Sequence, residues 1–241
     1  MLRNIIRIVL MLLPVFAGHE ADAATINEVI FSDQTYADAD WTIVNSFGLV
    51  SAGQVATGGN PGSYRQVVLA VGQNVPFVGN INKTYAYTPS TQGAITGITY
   101  NIDLITTNAQ GASYFPLLTQ NGVPYIDVAF GAGASATSNG WLNHNLVLNL
   151  PDFVRLTIVN NALVLDSSSR PDFSAAGSTI NFGYEVTAGG GGFFTSITGI
   201  DNDPITLTIS PLNPVPEPTN LVLLGTGLAL VNVVRRKYRS R

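Results

Sequence analysis

There is no cysteine anywhere in the 241 residues, which excludes disulfides, thiolate nucleophiles and cysteine-based metal sites together. Charge is also scarce, at 11% of residues. Between residues 24 and 215 only four side chains are basic (Arg65, Lys83, Arg155 and Arg170) against twelve acidic ones. Such a segment lacks the basic footprint that nucleic acid requires, so no nucleic-acid partner is expected. Histidine is limited to His19 and His144, too few for a histidine-rich metal site. Between the terminal segments glutamate is limited to Glu28 and Glu185, and neither has an acidic neighbour two or four residues away. A sandwich glycosidase is therefore possible only with an unusual Asp pair. Helical periodicity is absent too, because Gly or Pro interrupts nearly every candidate window outside the two termini.

What the chain does have is apolar and turn-rich, with 46% hydrophobic residues, 24 Gly and 13 Pro. That is too apolar for a disordered chain and too rich in turns for a helical bundle. Alternation with a period of two recurs at Ile98, Tyr100, Ile102 and Leu104, at Leu146, Leu148 and Leu150, at Phe182, Tyr184 and Val186, and at Ile205, Leu207 and Ile209. Half-buried strands give this pattern. Asn160-Asn161, between residues 155–159 and 162–165, and Gly189 to Gly192, before Phe193, are expected to be hairpin connections. Many short strands predict an all-β fold, an antiparallel β-sandwich of jelly-roll type over residues 24–210.

The two ends follow a different logic. Residues 1–23 carry Arg3 and Arg7, an apolar run from Ile8 to Phe16, and Ala21-Asp22-Ala23. A basic start, a short apolar stretch and a small-x-small site predict a signal peptide removed by signal peptidase after Ala23. At the other end, residues 211–218 form a Pro-rich spacer that includes Pro216-Glu217-Pro218. Residues 219–234 are almost wholly apolar, and 235–241 are basic, with Arg235, Arg236 and Lys237 at their head. A helix over Thr219 to Val234 spans about 24 Å at ~1.5 Å per residue, marginal against a ~30 Å hydrocarbon core. Snorkelling arginines and local thinning close that gap. The basic cluster places the tail in the cytoplasm and the domain outside.

The ordered triplet, apolar helix and terminal Arg cluster resemble the PEP-CTERM sorting domain of Gram-negative bacteria. The resemblance implies an inner-membrane intermediate whose tail is recognised by an exosortase, an integral-membrane cysteine transpeptidase, and cut near the triplet. It also implies a final place at the cell surface or in an extracellular matrix, in association with exopolysaccharide or biofilm. In the middle of the chain, Arg170-Pro171-Asp172-Phe173-Ser174, Gly177, Ile180, Phe182-Gly183-Tyr184 and Gly199-Ile200-Asp201-Asn202, with residues Gly58 to Arg65, resemble a concanavalin/laminin-G-like domain. That likeness implies a sandwich and leaves activity open.

Candidate chemistry is sparse, and the expectation is a non-catalytic exported protein, with a polysaccharide-binding, lectin-like module as the alternative and a glycoside hydrolase as a third, disfavoured reading. His144 has no Gly-x-Ser-x-Gly elbow to serve, and beside Trp141 it reads as a strand-end residue. Gly131-Ala132-Gly133 follows a strand-like segment as a dinucleotide loop would, but Thr137-Ser138-Asn139-Gly140 breaks the helix that phosphate binding needs, which makes the segment a loop. Asp201 and Asp203, with Asp33, Asp38 and Asp40, offer hard oxygen atoms to calcium; a solvated acidic turn is the other reading. Trp41 and Trp141 are either core rings or a sugar-stacking platform. On a strand, Trp141, Asn143 and Asn145 share one face, a ring beside two amides, and form the candidate sugar site. Leu142 and His144 then point the other way, which favours a loop for Leu142 to His144.

Overall fold

The computed structural model describes residues 27–108, 111–129, 134–136 (backbone), 140–189, 192–210 and 212. The signal segment with Ala21 and Ala23, the motif Pro216-Glu217-Pro218, the apolar span 219–234 and the basic residues Arg235, Arg236 and Lys237 lie outside the described residues. No helix among the described residues is long and apolar enough to cross a membrane.

Fifteen strands account for most of the described chain. They are β1 (Asn27–Phe31), β2 (Trp41–Phe47), β3 (Leu49–Gly59), β4 (Gly62–Val71), β5 (Phe77–Tyr87), β6 (Ala94–Thr106), β7 (Ala112–Gln120) and β8 (Val123–Asp127), followed by β9 (Ala134–Ala136), β10 (Leu142–Leu148), β11 (Phe153–Val159), β12 (Ala162–Asp166), β13 (Ile180–Ala188), β14 (Phe194–Asp201) and β15 (Ile205–Ser210). One four-residue helix, α1 (Pro89–Gln92), and two short 3-10 turns complete the elements among the described residues. The first sheet runs β1-β15-β6-β14-β4-β3, with β10 added to β6. The second runs β12-β11-β8-β7-β13-β5-β2, with β9 added to β7. Every pairing between strands is antiparallel. The expected all-β antiparallel sandwich is the observed fold.

The alternating runs explain why the sheets face each other. Ile98, Tyr100, Ile102 and Leu104 of β6, Phe182, Tyr184 and Val186 of β13, and Ile205, Leu207 and Ile209 of β15 are all buried in one core. Each large apolar side chain removed from water contributes roughly 1.5–3 kcal/mol before conformational entropy is subtracted. Leu146 and Leu148 of β10 join them, whereas Leu150 lies beyond the strand in a 3-10 turn and only packs against the core. A second apolar row sits on the far face of the second sheet: Ile81, Leu117, Ile126, Val154 and Leu156.

Two connections sort out differently. Asn160 and Asn161 both adopt left-handed conformations (φ 52° and 59°) and join β11 to β12, the expected tight hairpin. Gly189 to Gly192 is not a hairpin connection, because β13 pairs with β7 and β5 while β14 pairs with β4 and β6. That glycine stretch carries the chain from one sheet to the other. The segment after Gly133 is not purely loop either, since Ala134–Ala136 pairs with β7.

Candidate functional site

β6 organises the site because its two faces differ in chemistry. Tyr100, Ile102 and Leu104 point into the core, so Asn101 and Asp103 point outward. Tyr100 is opposite both Ile205 and Leu146, and Leu104 is opposite both Ile200 and Leu142. β10 therefore occupies one edge of β6, and β14 and β15 follow each other along the other. Asp103 is thereby flanked on the outer face by Asn143 of β10 and Asp201 of β14.

Two carboxylates facing each other across strands repel, and here amide donors offset the repulsion. Asp103 Oδ1 accepts from Asn143 Nδ2 at 2.7 Å. Asp103 Oδ2 accepts from Asn60 Nδ2 at 3.1 Å and Asn202 Nδ2 at 3.4 Å. The Asn143 amide also reaches Asn101 Oδ1 at 2.7 Å. Asp201 accepts the backbone N–H of Asn60 on one oxygen and that of Asn202, at 2.7 Å, on the other. Asn202 sits at φ 44°, where a short amide side chain is tolerated, and makes the jog between β14 and β15.

Trp141 stands at the rim of this network. Its indole Nε1 donates to the Gly58 carbonyl at 3.1 Å, and its ring meets Tyr64 edge to face, with centroids 5.3 Å apart and planes at 77°. Tyr64 in turn lies on Gly199: a Cβ there would come within 2.7 Å of the tyrosine ring. The glycine lets the ring lie flat on the sheet. Trp141 remains partly exposed, while Asn143 and Asn145 are exposed beside it. Residues Leu142 to His144 are not a loop but the start of β10, in register with Leu104 to Ile102. β10 is an outermost strand there, so Leu142 can face the inner side and still be 42% exposed. An aromatic ring beside amide and carboxylate groups already held in place can stack on a pyranose and bind its hydroxyls.

The other sequence candidates fall elsewhere. Trp41 is 5% exposed and packed among Tyr36, Tyr85 and Tyr184, with the Arg65 guanidinium 5.0 Å from its ring centre, so it is core. Asp201 and Asp203 do not converge: Asp203 is buried and its Oδ1 accepts from the hydroxyls of Tyr36 and Tyr85, each at 3.1 Å. Burial, reinforced by the nearby Asp33 charge, pushes the Asp203 carboxyl up to about 8 against those hydrogen bonds. Asp33 accepts from Thr35, Tyr36, Trp41 and Asn82, donors that fill its carboxylate. Asp38 pairs with Arg65 at 3.2 Å, and Asp40 is part of a 3-10 turn. No three His, Cys, Asp or Glu side chains converge as a metal site among the described residues. His144 lies mid-strand on β10, opposite Ile102.

Sequence reasoning missed Asn60, Asn101, Asp103 and Tyr64 as site residues. Asn101 and Asp103 carried a usable signal, being the polar positions of the most regular alternating run. Asn60 carried none, because its contact with Asp103 joins the β3–β4 turn to a strand distant in sequence.

No protein-family model matches the chain, and no curated protein matches it. Among solved structures, the family 11 carbohydrate-binding module from Clostridium thermocellum, in complex with a β-1,3-1,4-mixed-linked tetrasaccharide, is similar at a TM-score of 0.42 and 12% identity, over 79% of this chain and 99% of that one. A carbohydrate-binding module described for specific mannan recognition follows at 0.39 and 10% identity, over 75% and 98%. The lectin UEA-II complexed with galactose matches at 0.37 and 8% identity, over 76% and 98%. At these identities and scores no residue role transfers to this chain.

Proposed function

We propose that this chain is a non-catalytic, glycan-binding protein of the bacterial envelope, exported by its leader, held in the inner membrane and released by exosortase-type processing at Pro216-Glu217-Pro218. The observation that carries the binding part is the partly exposed Trp141 ring beside Asn143 and Asn145, over amides and carboxylates already fixed by one another. Preorganised polar groups lose little entropy when a sugar arrives, which favours this face over an ordinary solvated surface. Calcium has no part in the proposal. The sorting part rests on the sequence of the tail, and exopolysaccharide at the cell surface is the partner that unites the two parts.

The binding part is tested by glycan-array screening of the exported protein with and without a calcium chelator; binding unaffected by the chelator is expected, and no binding to any glycan would refute it. The sorting part is tested by replacing Pro216, Glu217 and Pro218 with alanine. Intact mass spectrometry should then show the tail retained, and loss of the tail at an unchanged position would contradict processing that depends on the triplet.

A further inference from the structure

β4 and β14 run side by side, with Thr198 opposite Val67 and Phe194 opposite Val71. Val67, Leu69 and Val71 of β4 point into the core. The outer face of the pair therefore presents Tyr64, Gln66, Val68 and Ala70 from one strand and Gly199, Ile197 and Thr195 from the other. None of these is charged. The charged members of the two strands leave the row clear: Arg65 points inward to Asn80, and Asp201 is tied to Asn60 at one end.

An aromatic ring stands at each end of the row. Trp141 against Tyr64 marks one end. At the other, Phe193 is 84% exposed and lies over Gly72, 3.5 Å from where a Cβ would be. Phe193, Phe47, Gln73 and Asn74 line a cleft of about 430 Å³ that opens onto Ala70. Tyr64 and Gly72 are eight residues apart, about 26 Å at ~3.3 Å per strand residue.

Resting on the glycan reading above, we infer that the outer face of β4 and β14 is a track for a linear, uncharged polysaccharide, gripped at internal units by Trp141 at one end and Phe193 at the other. Two rings so far apart cannot stack on one sugar or on adjacent sugars, so both are used only by a chain of several units. The uncharged side chains between them include Gly199, Ala70 and Thr195, which let such a chain lie close to the sheet there, and the Gln66, Gln73 and Asn74 amides meet hydroxyls without demanding charge. The acidic balance of the domain disfavours an anionic polymer.

The test uses the full chain in mild detergent. Affinity electrophoresis is run in gels containing mannan, mixed-linkage β-glucan or galactan, with polygalacturonate as the anionic comparison. Oligosaccharides of the polymer that retards the protein, from disaccharide to octasaccharide, are then titrated into wild type, Phe193→Ala and Trp141→Ala. A neutral polymer should retard the protein and polygalacturonate should not, and affinity should rise with oligosaccharide length. Phe193→Ala should weaken polymer binding roughly tenfold, as loss of one stacked ring does, and leave disaccharide binding unchanged, whereas Trp141→Ala should weaken both. Equal affinities at all lengths, or a polymer affinity untouched by Phe193→Ala, would overturn the track while leaving the glycan reading standing. Dimerisation abolished by Phe193→Ala would assign the face to a second copy of the chain instead. Failure of every gel to retard the wild type would overturn the track for these polymers, and the same failure together with an empty glycan array would remove the glycan reading as well.

Discussion

Asp203 makes the stability of this sandwich depend on pH in a direction opposite to that of an ordinary paired carboxylate. Its carboxyl is fully enclosed, and burial outweighs the hydroxyls of Tyr36 and Tyr85 to hold it at about 8 instead of 3.8. A value raised on folding means that the neutral acid is the form the fold accepts. The associated stability is complete below about pH 4 and is lost as pH rises toward 8, because over that window the unfolded chain sheds a proton that the folded chain retains. Each pH unit within the window removes up to ~1.4 kcal/mol. The whole window amounts to roughly 6 kcal/mol, a large share of the roughly 5–15 kcal/mol of a typical domain. Asp203→Asn keeps an oxygen for both tyrosine hydroxyls and cannot ionise. Urea unfolding of wild type and variant at several pH values between 4 and 9 isolates the effect, since slopes from other groups cancel in the difference. The variant should gain on wild type by about 1 kcal/mol per pH unit up to about pH 8 and hold a constant lead above it. Parallel pH profiles would refute the reasoning.

Three other outcomes follow. Glu185 is buried on the far face of the second sheet beside Gly79 and Leu117, neither of its carboxylate oxygens has a hydrogen-bond partner among the described residues, and burial raises its pKa well above the usual range; Glu185→Gln should therefore raise the urea midpoint at pH 8 and leave it nearly unchanged at pH 4, and a lower midpoint at pH 8 would count against an unpaired acid. Gly199→Ala drives a methyl group into the Tyr64 ring and should cost about 1–3 kcal/mol while shifting Trp141 fluorescence through the edge contact, whereas an unchanged spectrum would mean that Tyr64 does not seat the indole. Trp41→Ala should cost about 3–5 kcal/mol by thermal or urea unfolding, as a buried indole does, and a loss below 1 kcal/mol would contradict its place in the core.

The sequence revealed the fold where side-chain period and burial coincide. The run from Ile98 to Leu104 named its strand and its inward face, and Asn160-Asn161 named its hairpin, because both signals are local. Sheet membership was not legible: nothing near Gly189 to Gly192 tells whether the next strand joins the same sheet, since β4 and β6, which receive β14, lie far earlier in the chain. The site divided in the same way. Trp141, Asn143 and Asn145 could be grouped by alternation, but the reading that Leu142 to His144 form a loop assumed that every inward residue needs covering, which an outermost strand escapes. Asp201 and Asp203 looked like partners because they are close in sequence; the jog at Asn202 gives one to Asn60 and the other to Tyr36 and Tyr85.

The glycan reading makes Trp141 a binding ring and not a structural one. Isothermal titration of the neutral polysaccharide that best retards the protein into wild type and Trp141→Ala, with the thermal midpoint of each measured in the same buffer, tests it most directly. The variant should bind roughly tenfold or more weakly, with the midpoint nearly unchanged. Binding as tight as that of the wild type, or a midpoint lowered as far as by Trp41→Ala, would contradict that role.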